Sequence, residues 1–337
     1  MNSLLIFTIA IVLTSVLSGL AVKKLIQYLL SRNIVDVANE RSMHDGEVPR
    51  GGGLVIFFAA IVAAILMALI SHRTLFFSAI IGYLSGWALL SWCDDRRDLS
   101  PLLRFPVQLI LSAFAVAAFG WVDRLYGFDL GILGPILCVL GITWLANLNN
   151  FMDGMDGLAA SQAIISLLTF AVWFYFLGDQ HLALMCAIVA AACYGFLISN
   201  WHPAKVFMGD VGSITLGAFY GLLIIIAFTR YDVPVLSSLM VVSLFVFDAS
   251  VTLVRRAFNK EKIWLPHRSH FYQRAAALGI DHEKIVLCSI AIMTLCSLLA
   301  TLTVLYRDTI TSNLVFVILL MTAISGWITL KESRQTN

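Results

Sequence analysis

Charge is what this sequence has least of. Only 12% of its 337 residues are Asp, Glu, Lys or Arg, while 60% are hydrophobic; a soluble domain carries about twice that charged share. So few ionisable side chains cannot clothe a water-facing surface, which excludes an ordinary soluble globular chain. A formal net charge of +2 likewise excludes a broad basic surface for nucleic acid. No C-x-x-C pair occurs: Cys93, Cys138, Cys186, Cys193, Cys288 and Cys296 stand apart, mostly within apolar runs. They read as small buried hydrophobes, not as a zinc or redox site. The first apolar run has no basic segment ahead of it, and Lys23 and Lys24 follow it instead, so it reads as a retained span and not a cleaved leader. Neither an internal repeat nor a linker between soluble domains is visible, and one transmembrane domain over residues 1–337 is expected.

What is present is a series of apolar runs near the length of about 20 residues that crosses a hydrocarbon core as a helix. Breaking them at charge, Gly and Pro predicts an all-α polytopic membrane protein with about 11 spans. They lie near 3–22, 51–70, 75–92, 103–120, 130–146, 158–177, 182–199, 213–229, 235–254, 285–306 and 312–330. Alternation puts the loops at about 23–50, 93–102, 147–157, 200–212 and 255–284, with the C-terminal tail, on one side. With the flanking Arg104, that side holds 18 of the 22 Lys and Arg residues; Arg73, Arg124, Arg230 and Arg307 remain for the other. Cytoplasmic loops are enriched in Lys and Arg. The expected topology therefore has a periplasmic N-terminus and a cytoplasmic C-terminus.

The basic-rich loops also carry the unusual polar clusters, and ionisable groups at a membrane are costly enough to mark functional sites. Asp94-Asp95-Arg96-Arg97-Asp98 places adjacent carboxylates at a membrane edge, where they repel unless a proton or hard cation sits between them. A charged helix stop is the alternative. Asn147 to Gly157 contains no basic residue; a helix through it would align Asn150, Asp153 and Asp156 on one face, whereas capping of the next helix is the other role open to Asp156. Phe207 to Ser213 sets Asp210 between Gly209 and Gly212 at a helix start, suited to an N-cap or to a phosphate. His267, Arg268, His270 and Arg274 suit an anionic phosphate better than a metal, or else meet lipid headgroups. Arg41, His44 and Arg50 precede Gly51-Gly52-Gly53, either an anion seat or a close helix packing point. His72, His181, His202 and His282 lack such clustering and read as surface or interface residues.

Carboxylates able to hold a cation, facing Arg and His able to cover phosphate oxygens, suit phosphoryl transfer, which needs mainly positioning and charge stabilisation. A spanning scaffold adds a lipidic substrate. Five motifs carry a resemblance: Arg41-x-x-His44 with Pro49-Arg50-x-Gly52-Gly53; Asp94-Asp95; Asn150-x-x-Asp153-Gly-x-Asp156-Gly-Leu158; Phe207-x-Gly-Asp210-x-Gly-Ser213; and His267-x-x-His270. In that order the chain resembles the polyprenyl-phosphate N-acetylhexosamine-1-phosphate transferases of glycosyltransferase family 4, relatives of the phospho-MurNAc-pentapeptide translocase. The resemblance implies transfer of an amino-sugar 1-phosphate from a UDP-sugar to undecaprenyl phosphate at the cytoplasmic face of a bacterial inner membrane, with magnesium as cofactor and manganese as a substitute. It leaves a homodimer open.

Carried over by position, the resemblance makes Asp210 the leading metal ligand, with Asn150 a second. Asp94 and Asp95 would handle the lipid phosphate or metal, Asp153 and Asp156 would shape the nucleotide site, and His267 and His270 would contact the diphosphate. Arg41, His44, Arg50, Asn150, Lys205, Arg268 and Arg274 are the expected substrate-binding residues. Asp98 and the His-Arg-Ser-His order of the last motif look more like the branch that starts O-antigen and related polysaccharides. They favour a GlcNAc-type or 6-deoxy amino-sugar donor over the muramyl pentapeptide. An anion transporter is the alternative from another class, although transporters usually place their polar residues near the midplane, often with repeats.

Overall fold

Each apolar run closes its own backbone hydrogen bonds as a helix, the form that a hydrocarbon surrounding demands of an unpaired segment. The computed structural model describes residues 3–37, 47–97, 99–125, 127–262 and 267–336. In chain order the elements are α1 (Ser3–Ser31), β1 (Val35–Val37), β2 (Glu47–Pro49), α2 (Gly53–Ile70), α3 (Thr74–Arg97), α4 (Pro101–Phe119), β3 (Arg124–Leu125) and β4 (Phe128–Asp129). There follow α5 (Leu133–Phe151), α6 (Leu158–Phe176), α7 (Gln180–Asn200), α8 (Asp210–Tyr231), α9 (Val235–Val241), α10 (Ser243–Phe258), α11 (Phe271–Ala277), α12 (His282–Leu305) and α13 (Ile310–Thr336). The strands form two small antiparallel ribbons, β1 with β2 and β3 with β4. The all-α, polytopic architecture expected from hydropathy is the one found.

Among the described residues, 10 helices are long and apolar enough to cross a membrane. The expected ninth span departs from a straight crossing: α9 and α10 meet at 86°. Hydropathy measures how apolar a segment is and cannot register a change of direction inside it. Helix α1 also continues to Ser31, well past the expected end at Val22. Lys23 and Lys24 end the lipid-compatible stretch, but lysine is a good helix former and the helix continues.

Helix α8 is the hub. Its residues from Val211 to Ala227 are buried, and the Tyr83 hydroxyl of α3 donates to its Ala218 carbonyl at 2.9 Å. Helices α1 and α13 lie at the periphery and turn leucines and valines outward, among them Leu13, Val16, Leu20, Leu319 and Leu330. In lipid such exposure carries no hydrophobic cost.

Polar contacts gather at opposite ends of the spans. At one end Arg73 and Tyr231 both bind Asp179, at 2.6 and 2.5 Å, and Arg307 reaches Asp232 at 2.9 Å. The other end carries Arg50–Asp210, Arg104–Asp94, His202–Asp156, His270–Asp248 and Arg274–Glu332. Among the described residues, the motif-bearing segments meet at this second end.

Candidate active site

The site begins where two loops are sewn together by their backbones. Phe207 N–H donates to the Pro49 carbonyl at 2.8 Å, Gly51 and Gly52 N–H groups both reach the Phe207 carbonyl, and Gly53 N–H reaches the Met208 carbonyl at 2.8 Å. The start of α2 then presses against the start of α8 so closely that a Cβ on Gly53 would stand 2.4 Å from the Gly212 Cα. No side chain fits there. Of the two roles open to the glycine run, close packing is the one that Gly52 and Gly53 fill, and it sets the neighbouring Arg50 over the N-terminus of α8.

From there the Arg50 Nη2 lies 2.5 Å from Asp210 Oδ1 and 3.3 Å from Asp95 Oδ1. Asp210 is the first residue of α8, with Gly209 as the N-cap, so the helix dipole favours its negative charge. Burial alone would lower the Arg50 pKa, but the carboxylates of Asp210, Asp95 and Asp36 outweigh it and raise it. Asp94 is used differently: its Oδ2 accepts from Arg104 Nη1 at 2.6 Å and its Oδ1 from Leu99 N–H at 3.0 Å. The two adjacent aspartates thus diverge. Asp94 holds the corner between α3 and α4, and Asp95 faces the cluster.

Asp153 and Asp156 lie in the loop between α5 and α6, not on one helical face as a helix through Asn150–Asp156 would have placed them. Helix α5 ends at Phe151, and the Tyr272 hydroxyl accounts for the glycine that follows. It donates to the Phe151 carbonyl at 3.2 Å and would stand 2.2 Å from a Cβ on Gly154. Asn150 is still helical, and its Oδ1 accepts from Ser213 Oγ at 2.7 Å, while Asn149 Nδ2 donates to the Ser213 carbonyl. Asp153 keeps some accessible surface but is closely surrounded by protein. Burial raises its carboxyl well above the usual carboxylate range; Asp210 and Asp156 add to the rise and Arg50 opposes it.

The last loop adds an acid that the motifs did not include. Asp248, buried on α10, accepts at Oδ1 from the Phe271 N–H and pairs there with His270 Nδ1, both at 3.0 Å, and accepts at Oδ2 from Tyr272 N–H at 3.3 Å. It therefore fixes the His270 ring, which lies 4.8 Å from the His267 ring between centroids. Asp248 falls inside the expected span 235–254, but its partner His270 is 22 residues away in a polar loop, so spacing could not join them.

Arg274, expected to bind substrate, instead points to α13: its Nε donates to Glu332 Oε1 at 2.8 Å and its Nη2 to Thr329 Oγ1 at 2.9 Å. Lys205 and Arg268 are exposed on the site's face. Arg41, His44 and Asp98 lie outside the described residues.

His202 and His282, read from sequence as isolated, are not. His202 Nδ1 lies 2.8 Å from Asp156 Oδ2, and the two imidazoles stack at 4.3 Å between centroids. Nothing in spacing could have signalled it, because the contact joins the loop before α8 to the start of α12. On the opposite face, cavities of ≈ 560 Å³ and ≈ 510 Å³ open beside Trp121, Asp123 and Arg124, away from the carboxylate cluster.

The chain matches the model of glycosyl transferase family 4 over residues 76–228. It is 34% identical over 263 residues, 75% of this chain and 72% of the relative, to a probable undecaprenyl-phosphate N-acetylglucosaminyl 1-phosphate transferase of Bacillus subtilis (strain 168). The chain belongs to glycosyl transferase family 4. A phospho-N-acetylmuramoyl-pentapeptide-transferase of Sulfurimonas denitrificans is 29% identical over 306 residues, 80% of this chain and 84% of the relative. Another of the same description, from Moorella thermoacetica, is 34% identical over 211 residues, 57% of this chain and 65% of the relative. The family match spans Asp95, Asp153 and Asp210, while Arg50, which joins two of them, precedes it.

The carboxylates of Asp210 and Asp95 converge on the Arg50 guanidinium at 2.5 and 3.3 Å, oxygen donors of the kind that a hard divalent cation takes. Oxygen-only ligands suit magnesium. Within the protein itself the Arg50 guanidinium is the charge that offsets Asp210 and Asp95.

Proposed function

We propose that the chain transfers an N-acetylated amino-sugar 1-phosphate from a UDP-sugar to undecaprenyl phosphate, releasing UMP and leaving a lipid-linked diphospho-sugar. One observation carries this reading: Arg50 bridges Asp210 and Asp95 at the end of the spans where the His267 and His270 loop also lies. Acids and anion-binding groups side by side at a membrane surface suit a metal-bound diphosphate meeting a lipid phosphate. Asp210, with Asp95 and Asp153, would hold magnesium, which would neutralise the diphosphate and the charge that develops in transfer.

The chain's own residues do the rest. Arg50, at the cluster's edge, would bind phosphate oxygens, and His270, aligned by Asp248, would present its other ring nitrogen to the diphosphate. A lipid phosphate with a second pKa near 6 is already mostly dianionic at neutral pH, so direct attack on the donor's β-phosphorus needs no general base. A labelled phospho-aspartyl enzyme formed from donor in the absence of lipid would overturn that order of events.

The excess of Lys and Arg on the site's side supports a cytoplasmic active site in a bacterial inner membrane, with the N-terminus outside. The GlcNAc named for the Bacillus subtilis relative supports a GlcNAc-type donor, and the motif departures favour O-antigen or a related polysaccharide as product. The Sulfurimonas denitrificans relative keeps the muramyl pentapeptide as the second reading. Purified protein given undecaprenyl phosphate, magnesium and each of UDP-GlcNAc, a UDP-6-deoxy amino sugar and UDP-MurNAc-pentapeptide tests all of it. UMP release that requires both lipid and metal, fastest with an N-acetylhexosamine donor, is expected. Release only with the pentapeptide donor selects the second reading, and no release with any donor rejects both.

A further inference from the structure

His202 and His282 stand apart from the carboxylates around Arg50, yet with Asp156 they form a compact group of a different chemical kind. Each of the three offers one ligand atom, and these atoms lie within 4.8 Å of one another. We infer that Asp156, His202 and His282 form a binding site for a transition-metal dication of the zinc class, separate from the oxygen cluster at Asp210 and Asp95.

Ligand type is the first support. Two imidazoles and a carboxylate select zinc and its neighbours, whereas magnesium prefers oxygen alone. Their arrangement is the second. The two imidazoles stack at 4.3 Å between centroids and His202 Nδ1 lies 2.8 Å from Asp156 Oδ2, so the three groups are already gathered at one place. The third is an unmet requirement: His282 Nε2 is buried without a hydrogen-bond partner in the protein, and such an atom is costly unless something binds it.

Asp156 is prepared for the task, because the Ala204 N–H holds its Oδ2 at 3.0 Å beside His202. The ligands come from the loop after α5, the loop before α8 and the first turn of α12. A bound ion would therefore tie α12 to the two loops at the site.

The full-length protein in detergent, free of any affinity tag and with magnesium in large excess, is titrated with cobalt(II) as a coloured substitute for zinc. One equivalent should produce a visible ligand-field band, and zinc should abolish the band. His202→Ala and His282→Ala should each weaken cobalt binding about tenfold or more. His202→Gln keeps a hydrogen-bonding group beside Asp156 and serves if His202→Ala does not fold. No band at millimolar cobalt, or a band that survives both histidine substitutions, overturns the inference. Neither lipid nor sugar donor is present, so failure here leaves the transferase reading untouched, and failure of that reading leaves this result standing.

Discussion

Asp153 carries the sharpest conflict at the residue scale. Its pKa is raised by burial and by neighbouring acids, so the folded protein holds this proton more tightly than the unfolded chain does. Stability from this group is full below the unfolded pKa of about 3.9 and is lost as pH rises through the folded value. Asp153→Asn removes that loss. In EDTA its unfolding temperature should therefore exceed the wild type's at pH 8 and match it at pH 4, while transfer activity falls; a wild type more stable than the variant at pH 8 would refute the direction. Magnesium should shrink the pH 8 difference by supplying the missing cation. Arg50 makes a separate prediction. Arg50→Ala should lower kcat by about 10²–10³, the usual cost of removing one preorganised donor from a transition state, and Arg50→Lys should recover only part because an ammonium lacks the planar, bidentate donors a guanidinium offers phosphate oxygens. UMP release at saturating donor and lipid measures both.

Among the elements, what was legible in the sequence follows from what each signal reports. Apolar length located the membrane helices because the bilayer imposes that length, and glycine at the starts of α2 and α8 marked a close approach that Gly53 and Gly212 make. The site's acids were legible as residues but not as a geometry: adjacent Asp94 and Asp95 take opposite partners, and Asp153 and Asp156 leave the helix that spacing would have continued. Asp248–His270 and Asp156–His202 were out of reach because each joins two elements through tertiary packing. Arg274 shows the same limit, since a basic residue beside two histidines reads as an anion ligand until α13 supplies Glu332. Arg274→Ala should thus lower the unfolding temperature and leave KM for the UDP-sugar unchanged. A raised KM with an unchanged melting temperature would return Arg274 to the substrate.

At the scale of the whole molecule, the membrane turns a charge asymmetry into a functional one. The opposite end of the spans is closed by Arg73–Asp179–Tyr231 and Arg307–Asp232, contacts that pin helix ends. The site's end gathers Asp95, Asp153, Asp156, Asp210 and Asp248 with His202, His267, His270 and His282; if that end faces the cytoplasm, as proposed, donor, metal and lipid phosphate would meet at one surface. If the broken α9–α10 pair makes one crossing and is not a re-entrant loop, the described helices cross 11 times and the two chain ends fall on opposite sides, as proposed. In a Cys93→Ser, Cys288→Ser background, Asp129→Cys on the β3–β4 ribbon should react with a membrane-impermeant thiol reagent in spheroplasts. Lys260→Cys after α10 should react only once the cells are lysed. The reverse pattern would invert the topology and place the site outside, where a cytoplasmic nucleotide sugar could not reach it.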